Sequence, residues 1–234
     1  MNKKLKKLTV ALAAALTAVS AGAFTVFADS GDVEINKTNF PDDNFRQYVS
    51  KNCDRDRNGV LSQWEIEAVY NIDVPEKNIA DLKGMEYFSA LTYLSCEKNQ
   101  LTNLDISKNT ALTWLNCSDN KITELDVSKN TALTSLSCNN NKLTHLDISA
   151  NTALESLVCF LNQLTNLDVS KNTALKTLGC GDNKLKKIDV SKNTALAMLL
   201  CYKNQLTNLD VSQNTALTDL YCYGNQLTSL DLSN

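Results

Sequence analysis

The sequence predicts an α+β chain in which a small N-terminal helical cap precedes a parallel-strand solenoid that contains little helix. The first observation is a 21-residue phrase that recurs seven times between Leu91 and the end of the chain. The second is an acidic twelve-residue loop with helical flanks at residues 54–65. The third is composition: 43% of the residues are apolar and 21% charged, with few glycines and prolines. Such a composition favours a folded body over a disordered or collagen-like chain.

The repeat reads LxxLxCxxNxLxxLD(V/I/L)SxNTA, with conservative exchanges between copies. Its leading leucines are Leu91, Leu112, Leu133, Leu154, Leu175, Leu196 and Leu217. Its fixed asparagines are Asn99, Asn120, Asn141, Asn162, Asn183, Asn204 and Asn225. A fixed period of this length predicts a solenoid, and the LxxLxLxxNxL core is the leucine-rich repeat signature.

The spacing inside one copy predicts which side chains face the core. Leu94 and Cys96 are two residues apart, so they share one face of a short strand. Asn99 then turns the chain, and its amide can bond bare backbone groups of the bend and of the neighbouring coil. One coil alone buries too little apolar surface to offset the entropy of ordering it, so the coils must stack.

Each copy also contains a shorter repeat. LTYLSCEKNQ and the following LTNLDISKNTA both read LxxLx-apolar-xxN. Neither half has room for a helix of several turns, so we expect short strands or extended segments on both sides of the coil. The repeat resembles the bacterial class called IRREKO leucine-rich repeats, whose cysteine variant reads LxxLxCxxNxLxxLDL. The resemblance covers residues 91–234 and implies the fold, but it says almost nothing about a ligand.

One cysteine recurs in every copy where most leucine-rich repeats place a third leucine. The row is Cys96, Cys117, Cys138, Cys159, Cys180, Cys201 and Cys222. We interpret it as a row of reduced core residues, because cysteine is a small apolar side chain that suits a narrow coil. Disulfides between neighbours are the alternative in an exported protein, but in-register side chains point the same way. A zinc site or a nucleophile is disfavoured, because ligands would not converge and a base is missing.

A second row consists of acidic residues: Asp105, Asp126, Asp147, Asp168, Asp189, Asp210 and Asp231. We interpret these as outward turn carboxylates that are offset by the lysines at 108, 129, 171 and 192. A row of calcium sites is the alternative. The single histidine, His145, occupies a variable outward position, which predicts a solvated surface residue.

The acidic loop DRDRNGVLSQWE fits the calcium-loop pattern D-x-[DN]-x-[DN]-G-x5-E in full. Its predicted calcium ligands are the side chains of Asp54, Asp56, Asn58 and Glu65, the carbonyl of Val60, and Ser62 directly or through water. Gly59 takes the sharp turn of such a loop. The alternative is an EF-hand-shaped hairpin that holds no ion, and Arg55 and Arg57 reduce the local negative charge.

Helical patterns flank this loop. A helix is predicted to start at Pro41–Asp43 and to bury one face made of Phe45, Tyr48, Val49 and Cys53. After the loop, the predicted inward residues are Trp64, Ala68 and Val69. These observations predict a helical EF-hand-like cap at residues 29–71, an irregular opening repeat at 72–90, and seven repeats at 91–234.

This layout resembles the internalins and similar surface proteins, in which a truncated EF-hand-like cap precedes leucine-rich repeats. The resemblance implies a bacterial protein that binds a partner at a cell surface. A lone calcium loop without a paired second hand is a poor regulatory sensor, so we expect calcium to act as a structural staple.

Residues 1–28 predict a secretory signal peptide, because Lys3, Lys4, Lys6 and Lys7 precede an Ala-rich apolar stretch that ends at Ala28. A cut after Ala23 and an uncleaved membrane anchor are the alternatives. Cleavage would lower Lys+Arg from 23 to 19 against 26 acids, leaving a net charge near -7. We therefore expect a secreted or cell-surface protein that does not insert in the membrane and does not bind nucleic acid.

The outward residues in the first half of the repeat vary between copies, whereas those in the second half change little and are mostly threonine and other small polar residues. Predicted partner-binding residues on this varied face are Trp114, Val158, Phe160, Met198, Leu200, Tyr202, Tyr221 and Tyr223. Gly179 and Gly181 are predicted to leave a notch between Phe160 and Tyr202. Exposed apolar and aromatic patches of this kind often mark partner sites. Sequence drift, or packing against a segment outside this chain, is the alternative.

No set of residues in the sequence suggests catalysis, since the carboxylates form rows and the chain lacks a phosphate loop. The sequence therefore predicts a non-enzymatic protein that recognises a protein or glycan partner through the varied face. The alternative is a structural spacer within a larger surface protein. The chain stops within the last repeat, which suggests a fragment or an end that pairs with another chain.

Overall fold

The structure of the protein, a computed structural model, describes residues 31–231. The predicted signal peptide at residues 1–28 lies outside the described residues. Within residues 31–231, no helix has the length and apolar character needed to cross a membrane.

The elements follow the predicted order of a helical cap and then a run of strands. The cap holds strand β1 (Val33–Glu34), helix α1 (Asp43–Asn52), strand β2 (Val60–Leu61) and helix α2 (Gln63–Glu67). Strand β3 (Asn71–Asp73) and a 3-10 turn (Met85–Tyr87) form the opening coil. The repeats then supply β4 (Tyr93–Ser95), β5 (Trp114–Asn116), β6 (Ser135–Ser137), β7 (Ser156–Val158), β8 (Thr177–Gly179), β9 (Met198–Leu200) and β10 (Asp219–Tyr221).

Strands β3 to β10 form one parallel sheet in sequence order. Within the repeats, each strand residue pairs with the residue 21 positions later on the next strand, as Trp114 pairs with Ser135. The opening coil joins the same sheet, because Asn71 pairs with Tyr93. The predicted solenoid with little helix is therefore confirmed, and its first strand begins one residue before the predicted opening repeat.

The core is a stack of identical layers. Through Val211, the inward leucine, isoleucine, valine and cysteine positions of the repeats are at most 7% exposed. The central residue of each strand faces the core, as in Ser135–Ser137, where a buried leucine lies between two partly exposed serines. Ser95 and Gly179 on the outer side are also buried, under neighbouring side chains. This alternation is the expected geometry of a strand with one face in the core.

The second half of each coil contains no strand in the described residues, so of the two expected forms, short strands or extended segments, the strand is absent there. Two successive tight turns close this half of the coil. The backbone N–H of Asn109 donates to the Ile106 carbonyl, and the N–H of Leu112 donates to the Asn109 carbonyl. These turns follow the segment at residues 103–105, which matches strand Tyr93–Ser95 of the first half in spacing.

The fixed asparagines join neighbouring coils, as predicted. The Asn141 Nδ2 donates to the carbonyls of Cys117, Cys138 and Asn139 at 3.0, 3.1 and 3.3 Å. Its Oδ1 accepts from the Ile122 N–H at 3.0 Å. One side chain thus satisfies the bend of its own coil and two groups of the coil before it.

A second asparagine row, which the sequence pattern did not single out, lies in the NTA segment of each copy. Its members are Asn109, Asn130, Asn151, Asn172, Asn193 and Asn214, all at most 2% exposed. The Asn151 Nδ2 donates to the carbonyls of Val127 and Asn130 in the preceding coil. The turn side of the solenoid is therefore held by side-chain amides, whereas the strand side is held by the sheet.

The cap shares one hydrophobic core with the solenoid. Asp42 caps α1, as predicted: its Oδ1 accepts from the N–H groups of Asn44 and Phe45. Its Oδ2 accepts from the Ala80 N–H at 2.8 Å, so the helix start is tied to the opening coil. Phe45 and Val49 are fully buried.

Trp64 was predicted to face the core, and this prediction was wrong. The side chain is 52% exposed and lies beside the Arg55 guanidinium, 5.6 Å from the ring centroid. Helix α2 has only five residues, and Glu65, Ile66 and the following Val69 occupy its buried side. Trp64 therefore falls on the outer side of the helix.

Candidate functional site

The cysteine row faces the core. The ladder cysteines from Cys96 to Cys201 are fully buried, Cys222 in the last coil is partly buried, and all carry free thiols. Burial raises the pKa of Cys117, Cys159 and Cys201 to about 12. The predicted inward placement is confirmed, and protonated thiols in a dry interior are unsuited to nucleophilic chemistry.

The aspartate row is exposed and closes turns. In each coil from Asp105 to Asp210 the carboxylate accepts a hydrogen bond from the N–H two residues later, at 2.8–2.9 Å. These bonds lower the pKa of the carboxyls, as at Asp126. The arrangement fits the turn-carboxylate interpretation. His145 is exposed, as expected.

The acidic loop at residues 54–65 brings three of the predicted calcium ligands together. Oxygen atoms of Asp54, Asp56 and Glu65 all lie within 4.8 Å of one another. Asp54 is 4% exposed and Glu65 is fully buried. Buried carboxylates are rare unless they are hydrogen-bonded, paired or bound to a metal.

Backbone N–H groups hold these carboxylates in place. Asp54 accepts from the N–H groups of Asn58 and Gly59 at 3.1 and 3.0 Å. Gly59 has φ +84°, a backbone conformation that side chains with a Cβ rarely adopt. The Asn58 Oδ1 accepts from the Val60 N–H at 2.7 Å. This bond places Asn58 and Val60, two further predicted ligands, in the same tight turn.

Glu65 closes the loop at its far end. Its Oε2 accepts from both the N–H and the hydroxyl of Ser62, at 2.9 and 2.7 Å. Its Oε1 accepts from the Arg55 N–H at 2.7 Å. Burial raises the pKa of the Glu65 carboxyl, but the hydrogen bonds from Ser62, Arg55 and Asp56 outweigh it and the pKa is lowered. The carboxylate is thus ionised at neutral pH, the form that binds a cation.

A partner strand for the loop was missed by the sequence reasoning. Strand β1 pairs antiparallel with β2, with Val33 opposite Leu61 and Glu34 opposite Val60. It occupies the place that a second loop takes in a paired EF-hand. The alternating Val33-Glu34-Ile35 was the available signal, but two residues are too short for a period to show.

The varied residues lie on the outer side of the parallel sheet, which we call the strand face. It consists of three columns, and each column holds one residue per coil. The first column is Asn71, Tyr93, Trp114, Ser135, Ser156, Thr177, Met198 and Asp219. The second is Asp73, Ser95, Asn116, Ser137, Val158, Gly179, Leu200 and Tyr221. The third is Pro75, Glu97, Ser118, Asn139, Phe160, Gly181, Tyr202 and Tyr223.

The predicted partner-binding residues all occupy these columns. Tyr221 and Tyr223 are 50% and 58% exposed, and the others are partly buried against their neighbours. The rings of Tyr202 and Tyr223 stack with centroids 5.1 Å apart. Trp114 lies several coils from this C-terminal group and stacks on Tyr93, at 4.2 Å and 3° between the rings.

The predicted notch at Gly179 and Gly181 is absent, because neighbouring rings fill it. A Cβ at Gly181 would lie 2.7 Å from the Tyr202 ring, and one at Gly179 would lie 3.6 Å from the Phe160 ring. Both glycines are buried. Because the two glycines have no side chain, the rings of Phe160 and Tyr202 pack over the repeat that starts at Leu175. The surface from Phe160 to Tyr223 is therefore continuous.

Leu161 belongs to this surface and was also missed. It is 46% exposed and has φ 55°, in the turn position before Asn162. The same position in the other repeats holds Lys, Asp, Asn or Gly. An exposed leucine in a left-handed conformation is unfavourable both for solvation and for the backbone, and such positions tend to occur where function requires them. The pair Phe160-Leu161, where other copies are mostly polar, was the signal.

The stacked coils, the two asparagine rows and the helical cap define a leucine-rich repeat protein. No protein-family model matches the chain. Internalin J of Listeria monocytogenes is 36% identical over 71 residues, which are 30% of this chain and 8% of that protein.

Solved structures give a longer match. The functional domain of InlJ from Listeria monocytogenes, which includes a cysteine ladder, is 36% identical with a TM-score of 0.72; the match covers 92% of this chain and 50% of that one. A leucine-rich repeat protein of Leptospira interrogans is 27% identical with a TM-score of 0.67, over 71% of this chain and 46% of that one. Internalin C2 of Listeria monocytogenes, 19% identical with a TM-score of 0.78 over 88% and 93% of the chains, shows the shared fold alone.

The chain is therefore an internalin-like leucine-rich repeat protein. It spans 50% of the InlJ structure, and the segment that matches Internalin J covers 8% of that protein.

Proposed function

We propose that the chain is a non-enzymatic, secreted or cell-surface binding protein that recognises a protein partner through its strand face, with calcium stabilising the cap. The observation that carries this proposal is the contrast between the two sides of one coil. The inward positions and the fixed asparagines repeat from copy to copy, whereas the strand face changes from Ser and Asn to Phe, Leu and Tyr.

The C-terminal part of the strand face has the character of a partner site. Leu161, Tyr221 and Tyr223 expose about half of their side chains. They adjoin Phe160 and Tyr202, which are half-buried. Tyrosine and other large apolar side chains, clustered and partly preordered, supply much of the energy of protein interfaces. The stacked rings are held by the scaffold, so little side-chain entropy would be lost on binding.

Calcium would be held by Asp54, Asp56 and Glu65, with Asn58, Val60 and Ser62 completing the shell. The clustered oxygens of the three carboxylates support this proposal. An ion bound there would join both ends of the loop, which packs through Leu61 into the cap core. An ion that binds only the folded cap stabilises it by mass action.

The strand-face proposal is tested by cell binding. A triple variant with Phe160→Ser, Tyr202→Ser and Tyr221→Ser is compared with a control variant, Thr144→Ser, Thr165→Ser and Thr207→Ser, whose sites are exposed outside the strand face. We expect labelled wild-type chain to bind host or bacterial cells saturably, the strand-face variant to bind at least about tenfold more weakly, and the control to match wild type. Protease and glycosidase treatment of the cells separates a protein partner from a glycan.

Circular dichroism and thermal melting establish that both variants are folded before binding is measured. A folded strand-face variant that binds cells as tightly as the control would exclude this surface. Absence of saturable binding by the wild-type chain would favour a structural spacer.

A further inference from the structure

The strand face carries charge of one sign only. Among the three columns defined above, the charged residues are Asp73, Glu97 and Asp219. No lysine or arginine occupies a described position of these columns, although the chain holds 23 basic residues. The charge on the face is therefore negative, with Asp73 and Glu97 at the cap end and Asp219 in the last coil.

Lysines do occur at the two margins of the face, but each is neutralised. Lys98 pairs with Glu76 at 2.6 Å, Lys176 with Glu155 at 2.8 Å, and Lys203 with Asp182 at 3.6 Å. Each pair joins neighbouring coils. These pairs engage the marginal ammonium groups with carboxylates outside the three columns. Glu76 raises the pKa of Lys98, and the charge of Glu97, which also lies near Lys98, adds to this rise.

Two of the carboxylates lie beside the N-terminal aromatic stack. The parallel register places Asp73 and Tyr93 on adjoining strands, with Trp114 on the next. Glu97 accepts a hydrogen bond from the Asn116 Nδ2, which fixes it beside the Trp114 strand. Burial raises the pKa of Tyr93, and the charges of Asp73 and Glu97 add to this, so both carboxylates are close to the phenol.

This end of the face suits a cation for two physical reasons. Carboxylates form charge-assisted hydrogen bonds with ammonium and guanidinium groups. The faces of tryptophan and tyrosine rings also attract cations through their quadrupoles. The opposite end, from Phe160 to Tyr223, instead suits apolar side chains.

Resting on the proposed function, we propose that the partner presents a basic segment: its lysine or arginine side chains bind at Asp73, Tyr93, Glu97 and Trp114, and its apolar side chains bind from Phe160 to Tyr223. Complementary charge selects such a segment, because an acidic peptide or a sulfated glycan meets only like charge on this face. The polarity of the face also sets the direction in which the segment lies, with its basic part toward the cap.

The probe is a short synthetic peptide that alternates lysine and phenylalanine, compared with its counterpart that has glutamate in place of lysine. The chain contains two tryptophans, Trp64 and Trp114. In a Trp64→Phe background the fluorescence reports Trp114 alone. Trp64 is half exposed, so this background should fold, and its melting curve verifies that.

We expect the lysine peptide to change Trp114 fluorescence saturably and the glutamate peptide to leave it unchanged. Asp73→Asn with Glu97→Gln should weaken binding about fivefold to tenfold, and added salt should weaken it further. The control is Glu67→Gln with Glu124→Gln, which removes the same charge from exposed sites outside the strand face. That control should stay within about twofold of the parent.

Equal binding of the two peptides would overturn the inference, because it means that charge does not select the peptide. Equal weakening by the two double variants would also overturn it, because it means that the net charge of the chain, and not the site at Asp73 and Glu97, attracts the peptide. Cell binding separates this failure from failure of the proposed function. If the triple serine variant loses cell binding while Asp73→Asn with Glu97→Gln retains it fully, the basic-segment inference fails and the strand-face proposal stands. If the triple serine variant retains cell binding, the strand-face proposal itself fails.

Discussion

Replacing Asn141 with aspartate should lower the free energy of unfolding by about 3–5 kcal/mol, although the two side chains have the same shape. The Asn141 Nδ2 donates to three carbonyls in two coils, and the side chain is 9% exposed. An aspartate carboxylate has no N–H to donate and would place a negative charge against those carbonyl oxygens. Because a protonated carboxyl regains one donor, acidification should recover part of the loss.

Urea titration measured by circular dichroism tests this expectation. The control is Asn166→Asp, which makes the same chemical change at an exposed position of the second half-coil. The control should change the free energy of unfolding by no more than about 0.5 kcal/mol. If both variants unfold at the same urea concentration, the asparagine amides do not hold the coils together.

Calcium should raise the melting temperature of the wild-type chain, and Glu65→Gln should remove that increase. At a calcium concentration one hundredfold above its Kd, the expected stabilisation is about 2.7 kcal/mol. Glu65 is fully buried, and its oxygens lie with those of Asp54 and Asp56 within 4.8 Å. A glutamine there keeps the shape of the side chain but removes the charge that binds the ion.

Differential scanning calorimetry with calcium or with chelator measures this effect, and the control is Glu67→Gln, an exposed residue of the same helix. The pKa of Glu65 is lowered in the folded chain, so its stabilising contribution is present above the unfolded pKa and is lost as pH falls through the folded pKa. The calcium effect should disappear over the same acid range. A melting temperature that chelator leaves unchanged would show that calcium does not staple the cap.

The repeated layers were predictable because their signals are periodic and redundant. Leu94 and Cys96 recur in every copy at strand spacing, so a single register places all of them in the core. The proximity of Asp54 and Glu65 was also predictable, because the fixed spacing of the loop pattern brings both carboxylates to one place; their role as calcium ligands stays a prediction. Asp42 was a readable helix start for the same local reason.

The missed features depend on contacts between copies or on short segments. The filling of Gly181 by Tyr202 involves two adjacent coils and the rotamer of one ring. The position of Trp64 depends on where a five-residue helix meets the core. The second half-coil repeats the strand-like spacing of the first, but it forms no strand and leads into the turns at Asn109. Spacing alone does not distinguish these two outcomes.

Thiol accessibility in the folded chain tests most directly whether the strand face points outward, because Leu94 and Cys96 can face the core only if Tyr93, Ser95 and Glu97 lie on the opposite side of the strand. The chain has 8 cysteines. With an aromatic disulfide reagent near neutral pH, Cys222 should react first in the folded chain, and the buried thiols should react only as the chain unfolds. Unfolding in denaturant should release all of them. Rapid reaction of the whole cysteine row in the folded chain would contradict the inward packing, and with it the assignment of the binding face.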